Sequence, residues 1–187
     1  MSMIVIDYGG STVHHIALIL SELGINSITI LSNDDFPEGN YIGIILSGGP
    51  DHVYQNGSRQ LPNWIDYIDL PVFCICYGLE LMVRHLGGTI YSLPHIERGP
   101  TLIHSIKHDP LLGEFKTRLS WMNHYDTVKD FPENLELTSF SQNGYIASLN
   151  DRRRWWGVQF HPENMVGIDW GREIFENFIT ICRNYHT

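Results

Sequence analysis

Two short segments hold the side chains whose types and spacing can do chemistry. The first, Pro71-Val72-Phe73-Cys74-Ile75-Cys76-Tyr77-Gly78-Leu79-Glu80, is an apolar strand that meets a helix with a cysteine at the junction. A thiol on a sharp strand-to-helix turn stands exposed at the carboxyl edge of a sheet. The positive end of the helix favours a thiolate there, and the free N–H groups that follow can receive an oxyanion. Gly78 leaves room for a substrate to approach. Cys74 lies two positions back and by strand alternation shares a face with Cys76; it reads as a buried structural residue, and Cys182 as a bystander.

The second segment is Gly157-Val158-Gln159-Phe160-His161-Pro162-Glu163. An alternating strand delivers His161, Pro162 forces an extended turn, and Glu163 follows two residues on. A histidine that deprotonates a thiol needs a carboxylate on its other ring nitrogen to fix the tautomer and stabilise the imidazolium. A third piece, Ser47-Gly48-Gly49-Pro50, ends the apolar run Ile42–Leu46 and offers a backbone N–H to the same oxyanion. Each piece alone has an ordinary reading, since free cysteines are mostly small core residues and Gly-Gly turns are common. Their coincidence at strand ends is what points to nucleophilic cysteine chemistry.

The elements that must position these groups alternate short apolar runs with helix-length amphipathic segments. Strands are expected at Met3–Ile6, Ser27–Leu31, Ile42–Leu46 and Val72–Ile75. Val13, Ile16, Ala17, Leu20 and Leu23 fall at helical spacing behind a Ser11-Thr12 cap, with Gly24 as the stop. A short helix is expected within Leu61–Ile68, another over Leu79–Leu86, and a terminal one over Trp170–Arg183. Shorter strands are expected at Thr101–Ile106, Leu119–Met122, Leu135–Phe140, Tyr145–Ser148 and Trp156–Gln159, with a tight hairpin at Asn143-Gly144. The fold class is α/β: one domain over residues 1–187, with a mostly parallel, flavodoxin-like central sheet flanked by helices and a smaller antiparallel β portion.

Composition narrows the function. The chain has 187 residues, 12 Lys+Arg against 21 Asp+Glu and a net charge of −9, which argues against nucleic acid and anionic lipid as partners. No apolar stretch approaches the roughly 18 to 20 residues of a membrane helix, and no basic leader is present, so a cytoplasmic protein is expected. Three cysteines do not make a secreted disulfide framework. His104 and His108 lack a third ligand in sequence, so neither metal nor cofactor is expected. Arg152-Arg153-Arg154 reads as a solvated turn, Trp155-Trp156 as packing beside the strand that leads to His161, and Asp51-His52 lies beside the glycine turn with no role assigned.

Taken together, Ile6-Asp7-Tyr8-Gly9-Gly10, Ile45-Leu46-Ser47-Gly48-Gly49-Pro50, Ile75-Cys76-Tyr77-Gly78, Trp121-Met122-Asn123-His124-Tyr125-Asp126 and Gly157 to Glu163 resemble class I glutamine amidotransferase domains, most closely the GMP synthase branch. The resemblance covers nearly the whole chain. It implies that Cys76 attacks the side-chain amide of glutamine to form a γ-glutamyl thioester, that His161 moves the proton and Glu163 orients it, and that the N–H groups of Gly49 and Tyr77 form the oxyanion hole. Gly48, Glu80, Asn123, His124 and Tyr125 would bind the substrate, glutamine or a related γ-glutamyl compound. Three positions depart from the family pattern: Cys74 stands for Gly, Glu80 for Gln, and Asn123 for the Ser usual in that branch. Glu80 is expected to remove an amide donor and add negative charge near the thiol, disfavouring the thiolate while offering a partner to a substrate ammonium. The resemblance also implies coupling to an ATP-pyrophosphatase that consumes the ammonia; with no phosphate loop in this chain, that partner is expected to be a separate ATP-dependent synthetase subunit presenting a basic face to this acidic chain. The alternatives are hydrolysis of another γ-glutamyl compound by the same residues, and a catalytically weak regulatory subunit.

Overall fold

Apolar runs without alternation bury both faces of a strand, and four of them form the middle of the sheet. These are β1 (Ser2–Asp7), β3 (Tyr41–Leu46), β4 (Val72–Ile75) and β9 (Trp155–Val158). The computed structural model describes residues 1–164 and 170–186. With β2 (Asn26–Leu31), β5 (Thr89–Ser105), β6 (Thr117–Asp130), β7 (Glu136–Ser141) and β8 (Ile146–Asn150), they make one nine-stranded sheet in the order β2-β1-β3-β4-β9-β8-β7-β5-β6. Pairing is parallel from β2 through β9 and antiparallel from β9 to β6. This is the α/β class expected from the sequence.

Alternation along β1 sorts the helices into two layers. Met3 and Val5 pack with α1 (Val13–Glu22) and α3 (Trp170–Asn184), whereas Ile4 and Ile6 pack on the other face with α2 (Tyr77–His85). Burying one such side chain gains roughly 1.5–3 kcal/mol, so tertiary packing rather than helix propensity holds these short helices. The parallel strands β1, β3, β4 and β9 all end at one edge, where Gly9-Gly10, Gly48-Gly49, Cys76 and His161 follow.

Several local expectations change. Helix α2 starts at Tyr77, two residues before Leu79, and the segment Leu61–Ile68 holds only a single 3-10 turn, Ile65–Tyr67. The arginine run does form a turn, pinned by Asp151 Oδ1, which accepts from the N–H groups of Arg153 (2.9 Å), Arg154 (2.7 Å) and Trp155 (2.8 Å). Arg154 is only partly exposed, however. Its guanidinium donates to the carbonyls of Leu70 (3.2 Å), Ile68 (2.9 Å) and Ile65, tying the turn to the loop before β4.

The largest difference is the antiparallel pair β5–β6, 17 and 14 residues long. Pro94, Gly99 and Pro100 interrupt the sequence pattern of β5 and hide all of it before Thr101. In the fold Pro94 falls in a register break between Ser92 and Glu97, and Pro100 sits opposite Trp121. The break re-aims the middle of β6, so that Trp121 O accepts from the His161 N–H at 2.9 Å and Asn123 O lies 3.9 Å from Cys76 Sγ.

Candidate active site

Cys76 occupies φ +52°, ψ −106°, a conformation L residues avoid, at the step from β4 to α2. Such strain is of order 1–3 kcal/mol and persists only where neighbours over-determine it. Here the Cys76 N–H donates to Val158 O (2.7 Å) and the Cys76 carbonyl accepts from the Glu80 N–H (3.1 Å). The left-handed step also breaks the alternation of β4. Cys74 packs with Ile4 and Ile6 on the α2 side, while Cys76 joins Phe160 and Val158 on the other, so the two thiols do not share a face as their spacing implied. Burial pushes the thiols of Cys74 and Cys182 up, away from thiolate chemistry.

The glycines around Cys76 are matters of space. A Cβ on Gly48 would lie 2.8 Å from His161 Cε1, and one on Gly49 would lie 2.6 Å from Tyr8 O. Gly78 serves packing rather than substrate approach: its Cβ would lie 2.7 Å from Leu46 O, so a bare residue lets α2 seat against the end of β3. Tyr77 opens α2, which leaves its N–H ahead of the intrahelical ladder. Gly48→Ala is expected to displace the His161 ring and slow alkylation of Cys76 by iodoacetamide at neutral pH at least about tenfold, while circular dichroism shows the fold retained. An unchanged rate would mean that the ring does not need this position.

His161 Nδ1 donates to Glu163 Oε1 at 2.7 Å, and Thr12 Oγ1 donates to the same oxygen at 2.7 Å. Nε2 is buried without a hydrogen-bond partner among the described residues, and its charge couples to Cys76. Burial alone would push the imidazole down, but Glu163 and then Cys76 hold it well above the ordinary histidine value. For Glu163 burial works upward, and it is outweighed by the His161 charge and the hydrogen bonds from His161 and Thr12, which keep the carboxyl below its usual range. The pair is therefore imidazolium and carboxylate at neutral pH. Thr12, expected to cap α1, makes no side-chain cap bond. Its hydroxyl holds Glu163 across 151 residues of sequence, a role with no local signal.

Cys76 stands between two cavities. The larger, about 420 Å³, is lined by Gly9, Gly10, Thr12, Trp121 and His161 with Arg98 on its rim; the smaller, about 240 Å³, is lined by Asp51, His52, Glu80, Ile96 and residues 124–126. Gly49, Pro50, Cys76 and Asn123 line both. Of the site residues expected from the sequence, Gly48, Gly49, Cys76, Glu80, Asn123, His124, Tyr125 and His161 line these cavities, whereas Glu163 and Tyr77 line neither, Glu163 reaching the larger one through His161 and Thr12. The His124 side chain is buried away from solvent: Nε2 lies 2.7 Å from Glu97 Oε2 and Nδ1 2.7 Å from Asp126 O, so both ring nitrogens are engaged within the protein. Glu97 also accepts from Ser141 (2.8 Å) and Asn143 (2.7 Å). Burial raises the Glu97 carboxyl, and the bonds from His124, Asn143 and Ser141 more than reverse that. This network fixes the backbone at residues 123–126, and Tyr125, 54% exposed, stands at the mouth. His52, which the sequence left without a role, bonds Asp126 Oδ2 through Nδ1 (2.6 Å), and Ser92 donates to Asp126 Oδ1 (2.6 Å).

Glu80 departs from expectation. It is 3% exposed, accepts one hydrogen bond from Gln159 Nε2 (3.1 Å), and forms no ion pair among the described residues. Burial pushes its carboxyl well above the usual range despite the Gln159 bond, which works against the negative charge expected beside the thiol.

Residues 4–182 match the model of the family described as Glutamine amidotransferase class-I. The chain belongs to the class I glutamine amidotransferase family. Among its relatives is GMP synthase [glutamine-hydrolyzing] of Petrotoga mobilis, 35% identical over 183 residues, covering 96% of this chain and 36% of that protein. The Staphylococcus carnosus protein of the same name is 34% identical over 185 residues, with 96% and 36% covered. This amidotransferase chain therefore spans about a third of the length of the curated relatives it matches. A solved structure from Thermoplasma acidophilum, described as one subunit of a GMP synthase, superposes with a TM-score of 0.87 at 26% identity, covering 100% of this chain and 96% of that one. Among the described residues no helix is long and apolar enough to cross a membrane, and no group of three or more His, Cys, Asp or Glu is arranged to hold a metal ion.

Proposed function

We propose that this amidotransferase chain hydrolyses glutamine and passes the ammonia to an ATP-dependent synthetase subunit of the ATP-pyrophosphatase type, as part of a GMP synthase. The observation that carries the reading is the placement of a strained cysteine beside a buried imidazolium–carboxylate pair at the carboxyl edge of the parallel sheet. Cys76 Sγ attacks the γ-carbonyl carbon of glutamine, and the resulting oxyanion is received by the N–H groups of Gly49 and Tyr77. His161 gives its proton to the departing nitrogen, the C–N bond breaks, and ammonia leaves a γ-glutamyl thioester. Water then loses a proton to His161, adds to the thioester, and releases glutamate and the free thiol. Glu163 and Thr12 keep the imidazole in position for both halves. Gly48, Asn123 and the backbone of His124 and Tyr125 bound the space for the glutamyl group.

A separate synthetase is supported by the Thermoplasma protein, which has nearly the extent of this chain and is named as a subunit. The net charge of −9 favours a partner with a basic docking face, in the cytoplasm and away from nucleic acid and membranes. The test is glutamate and ammonia release by the purified chain, alone and with the ATP-pyrophosphatase subunit of the same cell. The expected result is hydrolysis that the second subunit and its ATP-activated nucleotide stimulate, with association weakening as salt rises. Failure to release glutamate even in the complex would end this reading.

A further inference from the structure

We propose that Glu80 works as a carboxylic acid, one oxygen accepting from Gln159 and the O–H donating to an oxygen of the glutamyl group held beside Cys76. The substrate half of this statement rests on the glutaminase reading above; the protonation half does not. Glu80 is 3% exposed yet lines the smaller cavity with Cys76 and Asn123, so it is enclosed by protein except toward the place a ligand would fill. Gln159 Nε2 reaches two atoms at once, Glu80 Oε1 at 3.1 Å and Cys76 Sγ at 3.8 Å. An amide nitrogen only donates, so Glu80 Oε1 and the sulfur are both acceptors toward it, and this hydrogen bond leaves the second Glu80 oxygen unengaged by Gln159.

The charges around Glu80 favour a proton there. Across from it on β6 is Asp126, whose negative field raises the Glu80 carboxyl, and beyond β9 is His161, whose positive field lowers it less than burial raises it. On its own helix the Tyr77 phenol is neutral, pushed up to about 12 mainly by burial, and gives its O–H to Arg59 O. On the far wall of the cavity Asp51 is already paired with Arg59 (2.9 Å), His52 with Asp126, and His124 with Glu97. No cation among the described residues pairs with Glu80, and a carboxylate there would oppose a thiolate at Cys76. A neutral acid offers a donor without that opposition. Glu80 thereby selects a ligand that brings an acceptor oxygen to this wall, which the glutamyl group of an amide substrate does.

The test is isotope-edited infrared difference spectroscopy of the full chain with ¹³C-carboxyl glutamate, wild type against Glu80→Gln, before and after reaction with the glutamine analogue 6-diazo-5-oxo-norleucine. The expected result at neutral pH is a protonated-carboxyl carbonyl band that Glu80→Gln removes and that moves when the adduct forms. In parallel, wild-type kcat/KM for glutamine should fall on the alkaline side where that band titrates, and Glu80→Gln should lack that fall whatever its height. Alkylation of Cys76 by iodoacetamide, which has no glutamyl group, should not share it. A carboxylate signal from Glu80 at neutral pH overturns the proposal regardless of activity, as does a carbonyl band that the adduct leaves unmoved. If the band is present but neither glutamine nor the analogue reacts, the glutaminase reading fails and the protonated state stands.

Discussion

Cys76→Gly is expected to abolish glutamine hydrolysis and to raise thermal stability in the same protein. The loss follows from removing the thiol proposed above to form the thioester, since those of Cys74 and Cys182 are buried and pushed up. A fall in kcat of about 10⁴-fold or more is expected, the scale seen when a covalent nucleophile is deleted. The gain follows from the backbone. At φ +52°, ψ −106° a cysteine stores strain of order 1–3 kcal/mol that glycine does not. Against this, glycine costs about 0.5–1 kcal/mol through the freedom it gives the unfolded chain. The Sγ faces two cavities, so little packing is lost with it. A net gain of about 1 kcal/mol corresponds to roughly 2–4 °C in Tm for a domain of this size. Cys76→Ala separates the two effects: it loses the same activity but keeps a Cβ in the left-handed region, so its Tm should not rise. Equal Tm values for the glycine and alanine variants would mean that the turn carries no strain, and surviving hydrolysis in either would remove Cys76 from the chemistry.

The parts of this protein that were legible in the sequence are those in which local pattern and final environment agree. The runs Met3–Ile6, Ile42–Leu46 and Val72–Ile75 are apolar throughout because both faces of the parallel sheet are covered, and the glycines that end two of them mark the edge where the site forms. Asn143-Gly144 was readable as a hairpin, and Gly144 does take a positive φ there. The rest depended on distance or burial. Most of β5 was hidden by Pro94, Gly99 and Pro100, whose breaking signals are absorbed by a register break that only β6 makes sense of. Thr12 meets Glu163 across 151 residues, and its position before α1 gave it a competing local reading as a cap. Cys74 and Cys76 part company because one left-handed residue overrides a two-residue period. The state of Glu80 could not be read from its type, because whether a carboxyl ionises is decided by what encloses it.

Glu163→Gln tests whether the site depends on charge or only on shape. A glutamine oxygen can still accept from His161 Nδ1 and Thr12 Oγ1, so the variant keeps the hydrogen bonds at 2.7 Å and removes only the negative charge. Burial by itself pushes the imidazole down, and in the wild type Glu163 is the larger of the forces that reverse it. Without that charge the downward push of burial meets less opposition, and His161 should lose at neutral pH the proton it gives to the departing nitrogen. A loss of about 10²–10⁴-fold in kcat/KM is expected. The sign of the pH effect follows from the direction of the shift. The imidazolium is present below the raised His161 pKa and is lost as pH rises through it, so the alkaline limb of kcat/KM for glutamine should move to lower pH in the variant. On the acid side the wild-type carboxyl, held below its usual range, stabilises the fold above the unfolded carboxyl pKa, and that contribution is lost as pH falls through the lowered value. Glu163→Gln should therefore lose stability relative to wild type at neutral pH and lose little further on acidification, since it has no carboxyl to protonate. An unshifted alkaline limb would show that Glu163 holds the ring by geometry alone, and the electrostatic account of the site would have to be given up.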